Sequence, residues 1–250
     1  MKLVICGDSH TDALVSARAI IEKESSRAVR DVAVGTFGNG RYLGEPFFTE
    51  HENTIRFLRD DYNANYEMLS GGPLCRRANI LHGFSMGFHT APLFRQPMWR
   101  TFLPWRLCKN AAAGIPVSDA ITVAIGDHIM RYMRAFFESL LRLKIDFFVI
   151  AAPPPRRSHL CIQEGTAPQT VLEVDRLHRQ STAKWLAERN VAYVLPPPQS
   201  MDADGFMLPQ FETTAIARDY HHGNEAYGVL MLRDILARYR APQDEREQTS

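Results

Sequence analysis

Two apolar runs, Phe147-Phe148-Val149-Ile150-Ala151-Ala152 and Val191-Ala192-Tyr193-Val194-Leu195, each stop on three consecutive prolines, at 153–155 and 196–198. A strand that is apolar at every position is buried on both faces, and proline, which has no N–H to donate, ends its ladder. Such strands belong in a parallel sheet covered by helices on both sides. Helical patterns surround them. Ser118 is placed to cap a long amphipathic helix with Ile121, Ile125, Ile129, Met133, Phe136, Leu140 and Leu143 on one face. Val171, Val174, Leu177 and Trp185 mark a second helix, and Tyr227, Leu230, Met231 and Ile235 a closing one.

The N-terminal part continues the alternation. Lys2-Leu3-Val4-Ile5-Cys6 is a strand running into Gly7-Asp8-Ser9-His10, and Leu14, Ala17 and Ile21 follow at helical spacing. Val32-Ala33-Val34 is a second strand, broken by the glycine-rich turn Gly35-Thr36-Phe37-Gly38-Asn39-Gly40; residues 78–81 are a third, followed by His82-Gly83-Phe84-Ser85. Strands alternating with helices imply an α/β fold, a parallel sheet covered on both faces, in one domain over residues 1–240 with a polar, disordered tail at 241–250. Between Phe84 and Pro116 the pattern is irregular. Pro92, Pro97 and Pro104 are set among Phe88, Phe94, Trp99, Phe102 and Trp105, an aromatic segment expected to pack in the core, with a substrate lid as the second reading.

Composition narrows the function. Lys and Arg total 29 against 28 acidic residues, so no net field favours nucleic acid or a membrane surface. No apolar run approaches the roughly 20 residues that cross a bilayer. Cys6, Cys75, Cys108 and Cys161 form no C-x-x-C pair, which argues against a zinc site or a disulfide framework. With a strand beginning at Lys2, the expectation is a cytoplasmic protein without a leader, metal or organic cofactor.

In a parallel α/β sheet ligands bind beyond the carboxyl ends of the strands. Asp8-Ser9-His10, the turn around Gly38, and Asp219-Tyr220-His221-His222 ahead of the last helix are the polar segments that can meet there. A serine hydroxyl needs an imidazole to take its proton and a carboxylate to orient that imidazole. Ser9, His222 and Asp219 supply this set, with His221 as the competing base. The N–H groups of Ser9 and Gly38 are candidate oxyanion donors. His10 lines the pocket or faces solvent.

These residues carry a resemblance. Val4-Ile5-Cys6-Gly7-Asp8-Ser9 resembles the Gly-Asp-Ser block of SGNH (GDSL-type) hydrolases, and Asp219-x-x-His222-x-Asn224 resembles their terminal Asp-x-x-His block. The resemblance implies a flavodoxin-like three-layer αβα sandwich and a serine esterase, with Gly38 as the oxyanion glycine. Its substrate would be a small acyl ester or an acylated carbohydrate. Where the family has Gly-x-Asn-Asp, this chain reads Gly83-Phe84-Ser85-Met86, so Ser85 stands in place of the oxyanion asparagine, with Asn39 or His82 as substitutes.

Other readings compete. Asp8, Ser9 and Asp219 also suit helix caps. Asp8-x-His10 occurs in two-metal phosphoesterases, but Gly126-Asp127-His128 lies inside a helical pattern and the remaining ligands are missing. A non-catalytic SGNH-like binding domain would not need all three triad residues, whereas an O-acyltransferase would use the same three. Arg156 and Arg157 follow a strand end, where they form a solvated pair or meet an anionic group.

Overall fold

The computed structural model describes residues 1–109, 114–214 and 219–239; the expected tail at 241–250 lies outside them. The strands are β1 (Lys2–Gly7), β2 (Val32–Thr36), β3 (Phe48–His51), β4 (Thr54–Phe57), β5 (Leu74–Cys75), β6 (Ile80–Ser85), β7 (Phe102–Pro104), β8 (Ile115–Val117), β9 (Phe147–Ile150) and β10 (Ala192–Val194). The helices are α1 (Asp12–Glu24), α2 (Asp60–Ser70), α3 (Ala91–Phe94), α4 (Asp119–Ile129), α5 (Arg131–Arg142), α6 (Leu160–Gln163), α7 (Pro168–Ala187) and α8 (Glu225–Tyr239).

All five strands expected from the sequence join one parallel sheet in the order β2-β1-β6-β9-β10. The chain steps from β1 outward to β2, then returns past β1 to build β6, β9 and β10. The direction therefore reverses between β1 and β6, and the crevice at their carboxyl ends is the natural ligand position of such a sheet. Gly7, the last residue of β1, is in register with Thr36 on one side and Ser85 on the other.

One face of the sheet is covered by α1 and α8, which bury Leu14, Ala17, Met231 and Ile235 against Leu3, Ile5, Val32 and Ile150. Gly228 makes this possible, because a Cβ there would lie 2.0 Å from the Ala13 carbonyl oxygen. On the other face Tyr66, Phe136, Phe137, Leu140 and Leu186, from α2, α5 and α7, pack on Cys6, Phe84 and Val149. The architecture is the three-layer αβα sandwich.

The structure departs from the sequence reading in two places, the long helix and the stretch after β2, and bears out the core reading of the aromatic segment. The long helix from Ser118 is two helices, α4 and α5, broken at Met130 (φ −88°, ψ 4°). Ser118 caps the first as expected, accepting from the Ile121 N–H at 3.3 Å. The apolar stripe carries across the break in part, with Ile129 half-buried on the same core as Met133, Phe136 and Leu140. Ile121 is exposed, and α4 buries Thr122 and Gly126 instead, the latter against the His178 ring of α7, while α5 turns Met133, Phe136 and Phe137 inward. The aromatic segment supplies core more than lid. Leu93, Phe94 and Trp99 are buried with Val171, Val174 and Phe206, the Trp99 indole N–H donates to the Leu93 carbonyl at 2.8 Å, and Trp105 stays exposed. Finally, the antiparallel sheet β3-β4-β5 and helix α2 occupy a stretch where the sequence shows no strong period.

Candidate active site

Gly7 ends β1 pressed against β6, where a Cβ would lie 2.3 Å from the Ser85 carbonyl oxygen. No other residue fits without moving a strand, and this close approach sets where the next residues emerge. Asp8 caps the following 3-10 turn, Ser9–Thr11, by accepting from the His10 N–H at 2.9 Å, and α1 begins at Asp12. Ser9 is thereby held half-buried at the mouth of the β1/β6 crevice.

The partner loop comes from the other end of the chain. His222 Nε2 lies 2.8 Å from Ser9 Oγ, and His222 Nδ1 lies 2.8 Å from Asp219 Oδ2. The other oxygen, Asp219 Oδ1, accepts the backbone N–H groups of His221 and His222, each at 3.1 Å. Residues three apart meet because the loop folds back on the carboxylate. Burial raises the Asp219 pKa, but the two N–H donors and the His222 imidazole outweigh it, so the carboxyl sits below its ordinary value. His221, the competing base, makes neither contact with Ser9 nor a short contact with Asp219, its Nδ1 lying 3.9 Å from Asp219 Oδ1.

Two residues fasten this loop. Asn224 caps α8 by accepting from the Tyr227 N–H at 3.1 Å, while its amide donates to the carbonyls of Gln210 and Glu212. Arg156, only 2% exposed, donates to the carbonyls of Thr213 (3.3 Å), Asp219 (2.8 Å) and His222. It is therefore neither a solvated residue nor a substrate contact. Arg157 is exposed and bridges Asp202 and Asp204.

Several of the expected oxyanion residues have structural partners. The Phe37 and Gly38 N–H groups turn back on the Gly7 carbonyl at 3.0 and 3.4 Å, and Gly38 must be glycine because a Cβ would enter the Tyr62 ring. Asn39 caps the next turn through its side chain, accepting from the Arg41 N–H, and its own N–H donates to the Tyr62 hydroxyl. Ser85 is buried at the end of β6, and its carbonyl accepts the Asp8 N–H at 3.4 Å. His82 is buried within β6 against Tyr66, well inside the core. Gly40, which the sequence reading passes over, sits against Asp8, with a Cβ there 3.0 Å from Asp8 Oδ2. Among the described residues the Ser9 and Gly40 N–H groups donate to no protein acceptor.

Around the triad lies a cluster of imidazoles. His10 packs its ring 4.6 Å from that of His222, 4.4 Å from that of His89 and 5.4 Å from that of His221. Burial holds the pKa values of His10 and His89 well below the ordinary imidazole value, and that of His221 down to about 4. Asp8 is pushed the other way, up to about 7, by its own burial. His89 is the residue sequence reasoning missed, although it lies just beyond the end of β6, where the sheet rule directs attention. Two sets of side chains converge closely enough to share an ion: His10 with His89 and His221, and Asp219 with His221 and His222.

Beside Ser9 opens a cleft of about 460 Å³, lined by Asp12, Ser16, Glu212, Thr213, Asn224 and Glu225 among others. Its walls carry hydroxyls and carboxylates beside a comparable apolar surface.

No protein-family model and no curated protein matches the sequence. Solved structures do resemble the chain. A GDSL-like lipase from Bacteroides thetaiotaomicron matches with TM-score 0.49 and 11% identity over 95% of this chain and 88% of its own. A carbohydrate acetylesterase family member from Sinorhizobium meliloti matches with TM-score 0.48 and 13% identity over 95% and 98%. The periplasmic domain of a Salmonella Paratyphi A lipopolysaccharide acetyltransferase matches with TM-score 0.46 and 11% identity over 95% and 82%.

Proposed function

We propose that the protein is a serine ester hydrolase of the SGNH type, with Ser9 as nucleophile, His222 as general base and Asp219 as the carboxylate that orients it. The observation that carries this reading is the unbroken chain Ser9 Oγ, His222 Nε2, His222 Nδ1, Asp219 Oδ2, with both links at 2.8 Å. A helix cap needs neither link. In the first half-reaction Ser9 Oγ attacks the ester carbonyl, its proton passes to His222 Nε2, and the same proton leaves with the alcohol. In the second, water gives its proton to His222, attacks the acyl-enzyme carbonyl and releases the acid, returning the proton to Ser9.

The charge that develops on the carbonyl oxygen requires donors with no other partner. The Ser9 and Gly40 N–H groups meet that requirement better than Gly38, whose N–H faces the Gly7 carbonyl, and better than the Asn39 N–H, which donates to the Tyr62 hydroxyl. The substrate we propose is a small acyl ester of a polyol or sugar, because hydroxyls pair with the Ser16 and Glu212 side chains of the cleft. The His222 side chain is 20% exposed, which gives water a route to the base.

Labelling with a fluorophosphonate, alongside hydrolysis of p-nitrophenyl acetate and an O-acetylated sugar, tests the assignment. The native protein is expected to label and to hydrolyse both esters, and Ser9→Ala to do neither. A native protein that never labels makes the domain a binding module. Metal-dependent phosphatase activity surviving Ser9→Ala would overturn the class.

A further inference from the structure

We propose that His10, His89 and His221 form a binding site for one zinc-class divalent cation beside the Ser9–His222 pair. Each residue offers a ring nitrogen, and the three nitrogens lie within 4.8 Å of one another. The ring centroids are 4.4, 5.4 and 5.8 Å apart. Three imidazoles around one zinc, with Zn–N of about 2.0–2.1 Å and near-tetrahedral angles, place their centroids on the order of 5 Å apart. Small side-chain movements bring the three nitrogens onto one ion.

The second observation is an unmet hydrogen-bonding need. His10 is 6% exposed, yet neither of its ring nitrogens has a partner, and His89 Nε2 is likewise buried without one. A buried ring nitrogen without a partner costs free energy, and one ion between the rings would meet the need of one His10 nitrogen and of His89 Nε2 together. His222 differs in kind, because both of its nitrogens are engaged at 2.8 Å. That separates the three-histidine set from the overlapping group of Asp219, His221 and His222.

The surroundings suit a cation. His89 Nδ1 lies 3.7 Å from Asp8 Oδ2, on the side of the ring away from its unpartnered Nε2, and His221 Nδ1 lies 3.9 Å from Asp219 Oδ1. This is how carboxylates orient and strengthen imidazole ligands. The Arg179 guanidinium is already paired with Asp175 at 2.8 Å, and Arg95 is solvent-exposed, so neither presents an uncompensated buried charge. An all-imidazole donor set selects zinc, cobalt, nickel or copper over magnesium and calcium, which prefer oxygen.

The test uses the full chain, stripped with a chelator and titrated with Zn²⁺ by calorimetry and with Co²⁺ by visible absorption. Native protein and Ser9→Ala are both expected to bind a single ion and give the visible band of nitrogen-bound Co²⁺. His89→Ala and His10→Asn are each expected to weaken binding at least about tenfold and lose the band, with far-UV circular dichroism showing that both remain folded. Absence of binding by the native protein overturns the proposal and leaves the orphan nitrogens to water. Binding that survives both histidine variants but is lost in Asp219→Ala also overturns it, by moving the ion onto the triad. Because Ser9→Ala keeps the three histidines, failure of this site and failure of the hydrolase reading give different results.

Discussion

The Arg156 guanidinium, buried where the chain leaves β9, donates to the backbone carbonyl of Asp219 at 2.8 Å and so anchors the triad loop to the sheet. Its fork also reaches the carbonyls of Thr213 and His222. Replacing it by lysine keeps the charge but not the planar set of donors. Arg156→Lys is expected to lower kcat for ester hydrolysis by roughly 10–100-fold with KM little changed, because misplacing a base by about an ångström costs on that order. Steady-state kinetics on a chromogenic acetate checks this. A rise in KM at constant kcat would instead make Arg156 a substrate contact.

Asp219 holds His222 in one tautomer through the contact at 2.8 Å. Asp219→Asn is nearly isosteric, yet its amide favours the wrong tautomer, with the imidazole proton directed at Ser9. The expected loss in kcat is about 10⁴-fold with substrate binding preserved. A loss below tenfold in single-turnover measurements would assign the carboxylate a structural role only.

Gly228 lets α8 approach α1 so closely that an added methyl would meet the Ala13 carbonyl. These helices follow His222 and Ser9 respectively, so forcing them apart separates Ser9 from His222. Gly228→Ala is expected to cost about 1–3 kcal/mol of stability, or a fall in Tm of about 2–4 °C for each kcal/mol, together with a fall in kcat. Scanning calorimetry and the ester assay on the same sample check whether the two losses occur together.

His82 lies in the core of β6, its Nε2 paired with the Tyr66 hydroxyl at 2.8 Å, and burial lowers its pKa to about 4. In the unfolded chain it titrates near 6.5. Between those values the unfolded state binds the extra proton, so stability increases with pH across the window. The contribution of His82 is complete above about pH 6.5 and is lost as the pH falls toward 4, amounting to about 3 kcal/mol at most. Urea unfolding across that window is expected to show a smaller pH dependence for His82→Gln than for the native protein. His178, also lowered to about 4 by burial, adds a slope of the same sign.

Much of this arrangement is legible in the linear chain, and the reasons are local. The five strands of the sheet stand out as short, mainly apolar runs between helical patterns, and two of them carry a proline stop. Ser9 and the Asp219–His222 segment stand out because they combine triad residue types with the two ends of an α/β alternation. The antiparallel sheet β3-β4-β5 is not legible, since strands as short and polar as Phe48–His51 leave no period to detect. Nor is the break at Met130, where the spacing of Ile125, Ile129 and Met133 runs on without interruption although the backbone turns away.

The chain by itself determined the five strands of the parallel sheet, the helices α1, α7 and α8 between and after them, and the candidate nucleophile, base and carboxylate, because hydrophobic period and residue type are properties of neighbours in sequence. Only the tertiary structure decided between His221 and His222, turned Arg156 from a possible substrate contact into a clamp on the triad loop, and placed His89 beside His10. Those outcomes depend on distances between residues far apart in the chain, set by how closely Gly7 and Gly228 allow the layers to approach, and no local pattern encodes them.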